Sequence, residues 1–378
     1  MDDLSEHTPL SGLDEYLIHN HPNPVRVMWT TDPRAYERVW MAFHDRDGHL
    51  AVALGLGFYP NLDTAEAFAI VTIDGVARSV HAHRPLGLDR TDMTVGPFRF
   101  EIVRPFREWR VTIAANELGI EADVRWFDES RAVYASSGPY QKPTGQTGGM
   151  TNGYESFGSV GGWIRVDGEH HAVERATHPG TRDHHWGVRD GVGGRGLYQG
   201  GKWPLSGFWV RFDGWGLWGD RLLLDLGDQR PGAIPVVGRE CRLRFEPDEA
   251  GGMLTGGEAD LLLGDGSVRH LRFERTGNQV LPMRLGMYPS PQGGTPASDL
   301  WPGMAVGDVV LGERHDLNDA ATRLAVRGLD DVVCRFELDG EVAVGLAEPF
   351  HPVCQQACEA MAPGYRLLAD LPPRGYGP

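Results

Sequence analysis

The sequence predicts an all-β protein made of two antiparallel β-barrel-like domains, with less than about a fifth of its residues helical against a usual third. Three observations carry that expectation. Asp-Gly pairs recur at Asp47-Gly48, Asp74-Gly75, Asp167-Gly168, Asp213-Gly214, Asp265-Gly266 and Asp339-Gly340, mostly between runs rich in Val, Ile, Phe and Trp. Both central positions of a type I′ turn need positive φ, so Asp-Gly between alternating apolar residues marks a hairpin. Glycine, at 51 of 378 residues, is far above ordinary usage without low-complexity repeats, which fits many turns and strand bends. Long amphipathic helical patterns are scarce. The best are short, around 32–38 and 352–361.

The strands follow in order. Arg38–His44 and His49–Leu54 flank the first Asp-Gly pair, and Ala67–Ile73 and Val76–His81 flank the second. Phe98–Val103, Trp109–Ile113 and Ala122–Trp126 continue the meander. Antiparallel strands at short, even spacing imply sandwiches or barrels, since closure removes exposed edges. The Pro/Gly-rich stretch 136–153 reads as a long loop, and the glycine cluster 190–201 as the hinge between two domains meeting near 175–200.

Composition excludes several function classes. The net charge of −16 comes with no basic stripe, so nucleic acid is not an expected partner. No apolar run approaches a membrane span and the N-terminus is acidic rather than a signal peptide; stable membrane insertion is not expected, and the cytoplasm is the expected location. Cys241, Cys334, Cys354 and Cys358 are too scattered for a disulfide scaffold and read as free thiols. A glycine-rich dinucleotide fingerprint and a P-loop are both missing, so no cofactor is expected. A homodimer is left open.

The densest chemistry lies in Thr181-Arg182-Asp183-His184-His185-Trp186-Gly187-Val188-Arg189-Asp190-Gly191. If this segment is extended, Arg182, His184 and Trp186 share one face and Asp183 and His185 the other. One face then presents a proton-transfer group and an aromatic wall, while the other anchors the strand by ion pairs. Five histidines fall between His170 and His185, but neighbours on a strand point apart and HExxH spacing is lacking, so no metal is expected. In Gly207–Asp213, Trp209, Arg211 and Asp213 alternate against Phe208, Val210 and Phe212. That polar set either looks into a cavity or is solvated, Asp213 then being a turn residue. Trp186, Trp203 and Trp209, with Trp215 and Trp218, are either core aromatics or the lining of a cavity for a large apolar ligand. Asp183 and Arg189 suit structural ion pairs.

Here a pattern becomes recognisable. Gly180-Thr-Arg182-Asp183-His184-His185-Trp186-Gly187-Val-Arg189, preceded by Tyr154-Glu155-Ser-Phe-Gly158 and Gly162-Trp-Ile-Arg-Val-Asp167-Gly168-Glu169, resembles the carotenoid 1,2-hydratase (hydroxyneurosporene synthase)/AttH-like family. Gly55–Asn61, Val95–Trp109 and Gly340–Glu348 are similar to it as well, so the resemblance spans about residues 30–350. It implies two lipocalin-like (calycin) barrels in tandem, 1–178 and 179–378, the second with a short C-terminal tail. It also implies hydratase chemistry on isoprenoid double bonds, or pericyclic folding of polyenes as in fungal relatives. The family's His-x-Trp pair maps onto His184 and Trp186 and its acid onto Asp213, while the aromatic residue expected two before that acid is Arg211 here.

The expected function is a cofactor-independent lyase of hydratase or dehydratase type acting on a terpenoid, steroid or aromatic molecule. Asp213, His184 and Arg182 are its expected catalytic residues, and Trp186, Trp209, Arg211, Tyr154 and Trp203 its substrate contacts. A carboxylic acid raised in pKa by an apolar cavity stays protonated near neutrality, and Trp faces stabilise developing positive charge. Arg182 or Arg211 would instead hold an oxyanion of a more polar substrate. The alternatives are an isomerase or pericyclase of a polyene, and a calycin that sequesters an apolar ligand without chemistry.

Overall fold

The computed structural model describes residues 12–15, 17–18, 21–130, 132–141, 147–189, 192–193, 208–212, 215–219, 224–228, 238–247, 254–286, 300–326 and 330–349. The first strands are β1 (Ala35–His44), β2 (Leu50–Tyr59), β3 (Thr64–Ile73), β4 (Val76–Pro85), β5 (Thr94–Val95), β6 (Phe98–Arg104), β7 (Glu108–Ile113) and β8 (Ile120–Asp128). Then come β9 (Val133–Gln141), β10 (Thr147–Val166), β11 (Glu169–Val173) and β12 (Pro179–Val188). The second half adds β13 (Phe208–Phe212), β14 (Trp215–Gly219), β15 (Leu224–Asp228), β16 (Gly238–Pro247), β17 (Leu254–Leu263) and β18 (Val268–Pro282). It ends with β19 (Val309–Asp316), the short helix α1 (Ala320–Val326), β20 (Asp330–Leu338) and β21 (Glu341–Pro349). The protein is all-β, as its sequence predicts.

Among the described residues, two antiparallel sheets result. The first has 13 strands, in the order β19-β4-β3-β2-β1-β12-β10-β8-β7-β6-β5, with β9 and β11 also paired to β10. Its far strand β5 returns to lie against β3 and β4, which curls the sheet toward a barrel. The second has 8 strands, β15-β14-β13-β21-β20-β18-β17-β16, and β15 and β16 at its two ends come alongside each other. β12 sits between β1 and β10, so the first sheet extends to residue 188, and β19 joins its edge from far along the chain.

Turn chemistry sets the hairpins. Asp74-Gly75, Asp167-Gly168 and Asp339-Gly340 have positive φ at both residues and close the two-residue turns β3–β4, β10–β11 and β20–β21. Two expectations are corrected. Residues 35–38 of the expected 32–38 helix are strand, because Tyr36, Arg38 and Trp40 face one way and Glu37, Val39 and Met41 the other. The expected loop 136–153 is largely the β9–β10 pair. Its glycines serve close approach: a Cβ on Gly153 would lie 2.1 Å from the His185 ring. Residues 352–361 lie outside the described residues, as does almost all of the expected hinge.

β2 is buried along its whole length and β3 along all but its last residue. Their inner residues, among them Val52, Leu54, Ala67 and Ala69, join Phe98, Val111, Val124 and Ile164 in the core of the first barrel. Their outer residues, Ala51, Ala53, Phe68 and Ile70, pack with Leu261, Leu271, Val280, Leu281 and Phe336 of the second sheet. Covering both faces explains why these antiparallel strands read as near-continuous apolar runs. The Thr72 hydroxyl donates to the Val280 carbonyl at 2.6 Å across this junction.

Candidate functional site: a polar relay in an aromatic pocket

β12 delivers the central motif as its alternation predicts. Its residues Arg182, His184 and Trp186 stand opposite Met41, Val39 and Glu37 of β1 and face the barrel interior. Tyr154 of β10 lies opposite His184 on the other side. Gly187 ends this run at φ +141°, where a Cβ would lie 1.9 Å from the Met150 carbonyl oxygen. Only glycine lets β10 close on β12 there.

The deepest member is Arg182. Its side chain is fully buried and makes two bonds to the Asp128 carboxylate, Nε at 2.9 Å and Nη2 at 2.8 Å. Asp128 also accepts from the Trp126 indole at 2.9 Å and the Ser156 hydroxyl at 2.7 Å. Burial pushes the Arg182 pKa down, but the bonds to Asp128 and the neighbouring Tyr154 outweigh it and the net shift is upward. The third nitrogen, Nη1, donates to the Tyr154 hydroxyl at 3.1 Å. That oxygen lies 3.3 Å from His184 Nδ1, and His184 Nε2 lies 3.1 Å from Glu37 Oε1. Arg90 closes the chain with a 2.6 Å bond to Glu37 Oε2. With Glu37 ionised, His184 Nε2–H donates to it and Nδ1 accepts from Tyr154. Burial pushes the Glu37 carboxyl upward, but its interactions with His184 and Arg90 hold it below its usual range.

This relay lines a cavity of about 580 Å³. Trp109, Tyr154 and Trp186 line it together with Val25, Val27, Met28 and Trp29. Phe106, 55% exposed, and Trp29, 50% exposed, leave an apolar rim. Pockets of this size and lining hold small apolar ligands oriented by a few polar groups.

The opposite face of β12 is a junction. Asp183 lies 3.3 Å from His185. Burial raises the Asp183 pKa, but His185, Arg38 and Arg189 together bring it below the usual carboxylate range. The ion-pair reading of Asp183 and Arg189 fits this placement. His184 and His185 point apart, as alternation requires.

Of the expected site residues, the structure brings His184, Trp186 and Tyr154 to one pocket, with Arg182 sealed beneath it. Asp213 and Trp203 lie outside the described residues. For Trp209 and Arg211 only the backbone is described, in β13 of the second sheet. Sequence reasoning missed Glu37, Arg90, Trp109 and Asp128. Glu37 carried a signal, being a carboxylate in period two with Val39, Met41 and Phe43 on an apolar face.

Among curated proteins none matches the chain. Solved structures to which the chain is similar include a protein designated AttH from Nitrosomonas europaea, at 14% identity and a TM-score of 0.42, covering 85% of this chain and 96% of that one. Kievitone hydratase from Nectria haematococca follows at 12% identity and a TM-score of 0.45, covering 84% and 90%. CghA with Sch210972 stands at 12% identity and a TM-score of 0.45, covering 84% and 87%. A family model, described as a family of unknown function (DUF8625), matches residues 10–202. The chain belongs to that family.

Proposed function

We propose that the protein is a lyase of hydratase or dehydratase type acting by acid–base catalysis on a hydrophobic terpenoid, steroid or aromatic molecule in the pocket of the first barrel. The observation that carries this reading is the Glu37–His184–Tyr154 relay opening into an aromatic cavity. In the dehydration direction His184 Nδ1 takes a proton from carbon while the Tyr154 hydroxyl protonates the departing oxygen, which leaves as water. Glu37 stabilises the imidazolium, and Arg182 the transient tyrosinate. The imidazolium then returns its proton to the Tyr154 oxygen, 3.3 Å away, and the cycle closes. Hydration is the same path reversed. Arg182 is thus a positioning residue, bonded to Tyr154 and Asp128.

The test is conversion of a panel of hydrophobic alkenes and tertiary or allylic alcohols. His184→Ala should lower turnover about a hundredfold or more, the usual size of a general acid–base contribution, with an unchanged melting temperature. Asp213→Asn tests the acid implied by the family resemblance; full activity there alongside a dead Tyr154→Phe assigns that role to Tyr154. The apolar character of the lining, with Val25, Val27, Met28 and Pro105, favours a second reading as a carrier. Tight binding of a panel member without turnover of any would establish the carrier.

A further inference from the structure

We propose that Glu66, His81 and His83 form a binding site for one divalent transition-metal ion, of zinc or iron(II) type, buried between the first sheet and the segment 301–304. The site is separate from the pocket. Glu66 and His83 are direct cross-strand partners on β3 and β4, and His81 stands two residues along β4, so all three side chains leave the same outer face.

The donor atoms converge. His81 Nε2 and His83 Nε2 are 3.1 Å apart, and Glu66 Oε2 lies 3.5 Å from the His83 nitrogen and 3.9 Å from the His81 nitrogen. Ligand atoms about 2.1 Å from a tetrahedral ion are about 3.4 Å from one another, and the three edges bracket that value. Among the described residues this is the one group of three His, Cys, Asp or Glu side chains whose donor atoms close on each other in this way.

Surrounding groups aim the donors inward. His83 Nδ1 lies 3.1 Å from the Met304 carbonyl oxygen, so it carries the proton and leaves the Nε2 lone pair toward the centre. A histidine whose second nitrogen donates to a backbone carbonyl is the usual arrangement of a metal ligand. Tyr59 O–H donates to Glu66 Oε1, and Gly303 N–H donates to Oε2 at 3.2 Å. The Phe68 ring meets His81 edge-on and fixes its plane. Among the described residues, the only polar contacts of the His81 ring lie toward the cluster, its Nδ1 having no hydrogen-bond partner there. The three side chains are at most 1% exposed. Two buried imidazoles and a carboxylate with their donor atoms this close are costly unless they share a proton or hold a cation.

The lid over the cluster is fitted. Gly303 has φ +70°, and a Cβ there would lie 2.6 Å from the Tyr59 ring. Bound metal would therefore hold this later segment of the chain onto the first sheet, and its readout is stability. The expectation of no metal came from the crowded histidines of 170–185 and passed over the spaced pair His81-x-His83.

Metal content of the purified full chain, measured by mass spectrometry, should be about one zinc or iron per chain. Stripping with a chelator should lower the melting temperature, and adding Zn²⁺ or, without oxygen, Fe²⁺ should restore it. Co²⁺ should give the visible absorption of a nitrogen- and oxygen-ligated ion. Glu66→Gln and His83→Gln should each abolish stoichiometric binding, while His184→Ala retains it. Should those two variants not fold, Tyr59→Phe decides, with an expected loss of affinity of about tenfold or more. A wild-type chain that neither carries nor takes up any of these ions overturns the site. So does an ion kept at full stoichiometry by folded Glu66→Gln and His83→Gln, or undiminished affinity in Tyr59→Phe.

Discussion

Two clusters of histidine, glutamate and tyrosine occupy opposite faces of the same sheet, and they differ in access. On the inner face, Glu37 and His184 line a cavity with side chains that are 39% and 24% exposed. On the outer face, Glu66, His81 and His83 are closed off between strands and lid. Burial pushes the Glu66 carboxyl upward, but the nearby His81 and His83 and the Tyr59 bond bring it down to about 2. Burial, with His81 beside it, lowers His83 to about 4 despite the Glu66 charge and the Met304 bond. Similar side chains thus form a hydrogen-bonded chain lining a cavity on one face, and a closed donor set on the other. Chemical type is shared; access separates the roles.

The largest effect should come from the support beneath the inner cluster. Asp128→Ala removes the counter-charge of a fully buried Arg182 and leaves the Trp126 and Ser156 donors unpaired. A loss of about 3–5 kcal/mol is expected in denaturant unfolding, the usual result of breaking a buried ion pair. A loss under about 1 kcal/mol would show that solvent reaches Arg182 and would blur the contrast between floor and pocket.

Next comes the pH response of the relay. His184 and Arg90 lower the Glu37 pKa from its ordinary 4.5, so Glu37 remains an acceptor for His184 to a pH below that value. Wild-type kcat/KM should therefore fall through an acid limb with a contribution from Glu37 below 4.5, and Glu37→Gln should abolish that contribution while costing about tenfold to a hundredfold at pH 7. An unaltered pH profile in Glu37→Gln would remove Glu37 from the relay.

The smallest effect concerns the junction between the sheets. Burial, then Glu348, Asp330 and Asp183, push the Asp331 carboxyl well above its usual range. A raised acid favours folding fully below its unfolded value of 3.8, and that contribution is lost as pH rises. Asp331→Asn keeps the shape without the charge, so its melting temperature should exceed wild type by a few degrees at pH 8 and by less at pH 5. A gain of about 1 kcal/mol corresponds to about 2–4 °C in a domain of roughly this size. A larger gain at pH 5 would reverse the assignment.

Much of the inner face was legible because it is local. Asp-Gly chemistry marked the hairpins at Asp74, Asp167 and Asp339, and period two placed Arg182, His184 and Trp186 together. What was not legible depends on register between distant strands. Asp128 meets Arg182 only because β8 and β12 both pair with β10, and Glu37 meets His184 only through the β1–β12 ladder. The Pro/Gly content of 136–153 suggested a loop because glycine is weak in isolated strands, whereas here small residues admit the rings and carbonyls of β12. Glu66 and His83 are 17 residues apart, and only the cross-strand pairing of β3 and β4 joins them.

The pairing of β19 with β4 also sets an order of assembly during synthesis. Val309–Asp316 supplies the strand that covers β4, more than two hundred residues after Val76–Pro85 has been made. A ribosome adding about 5–20 residues per second needs roughly ten seconds or more to deliver it. Throughout that interval the β4 edge offers a row of unpaired backbone groups, a template for another chain. A fragment ending at residue 202 lacks Val309–Asp316 and so carries that uncovered β4 edge permanently.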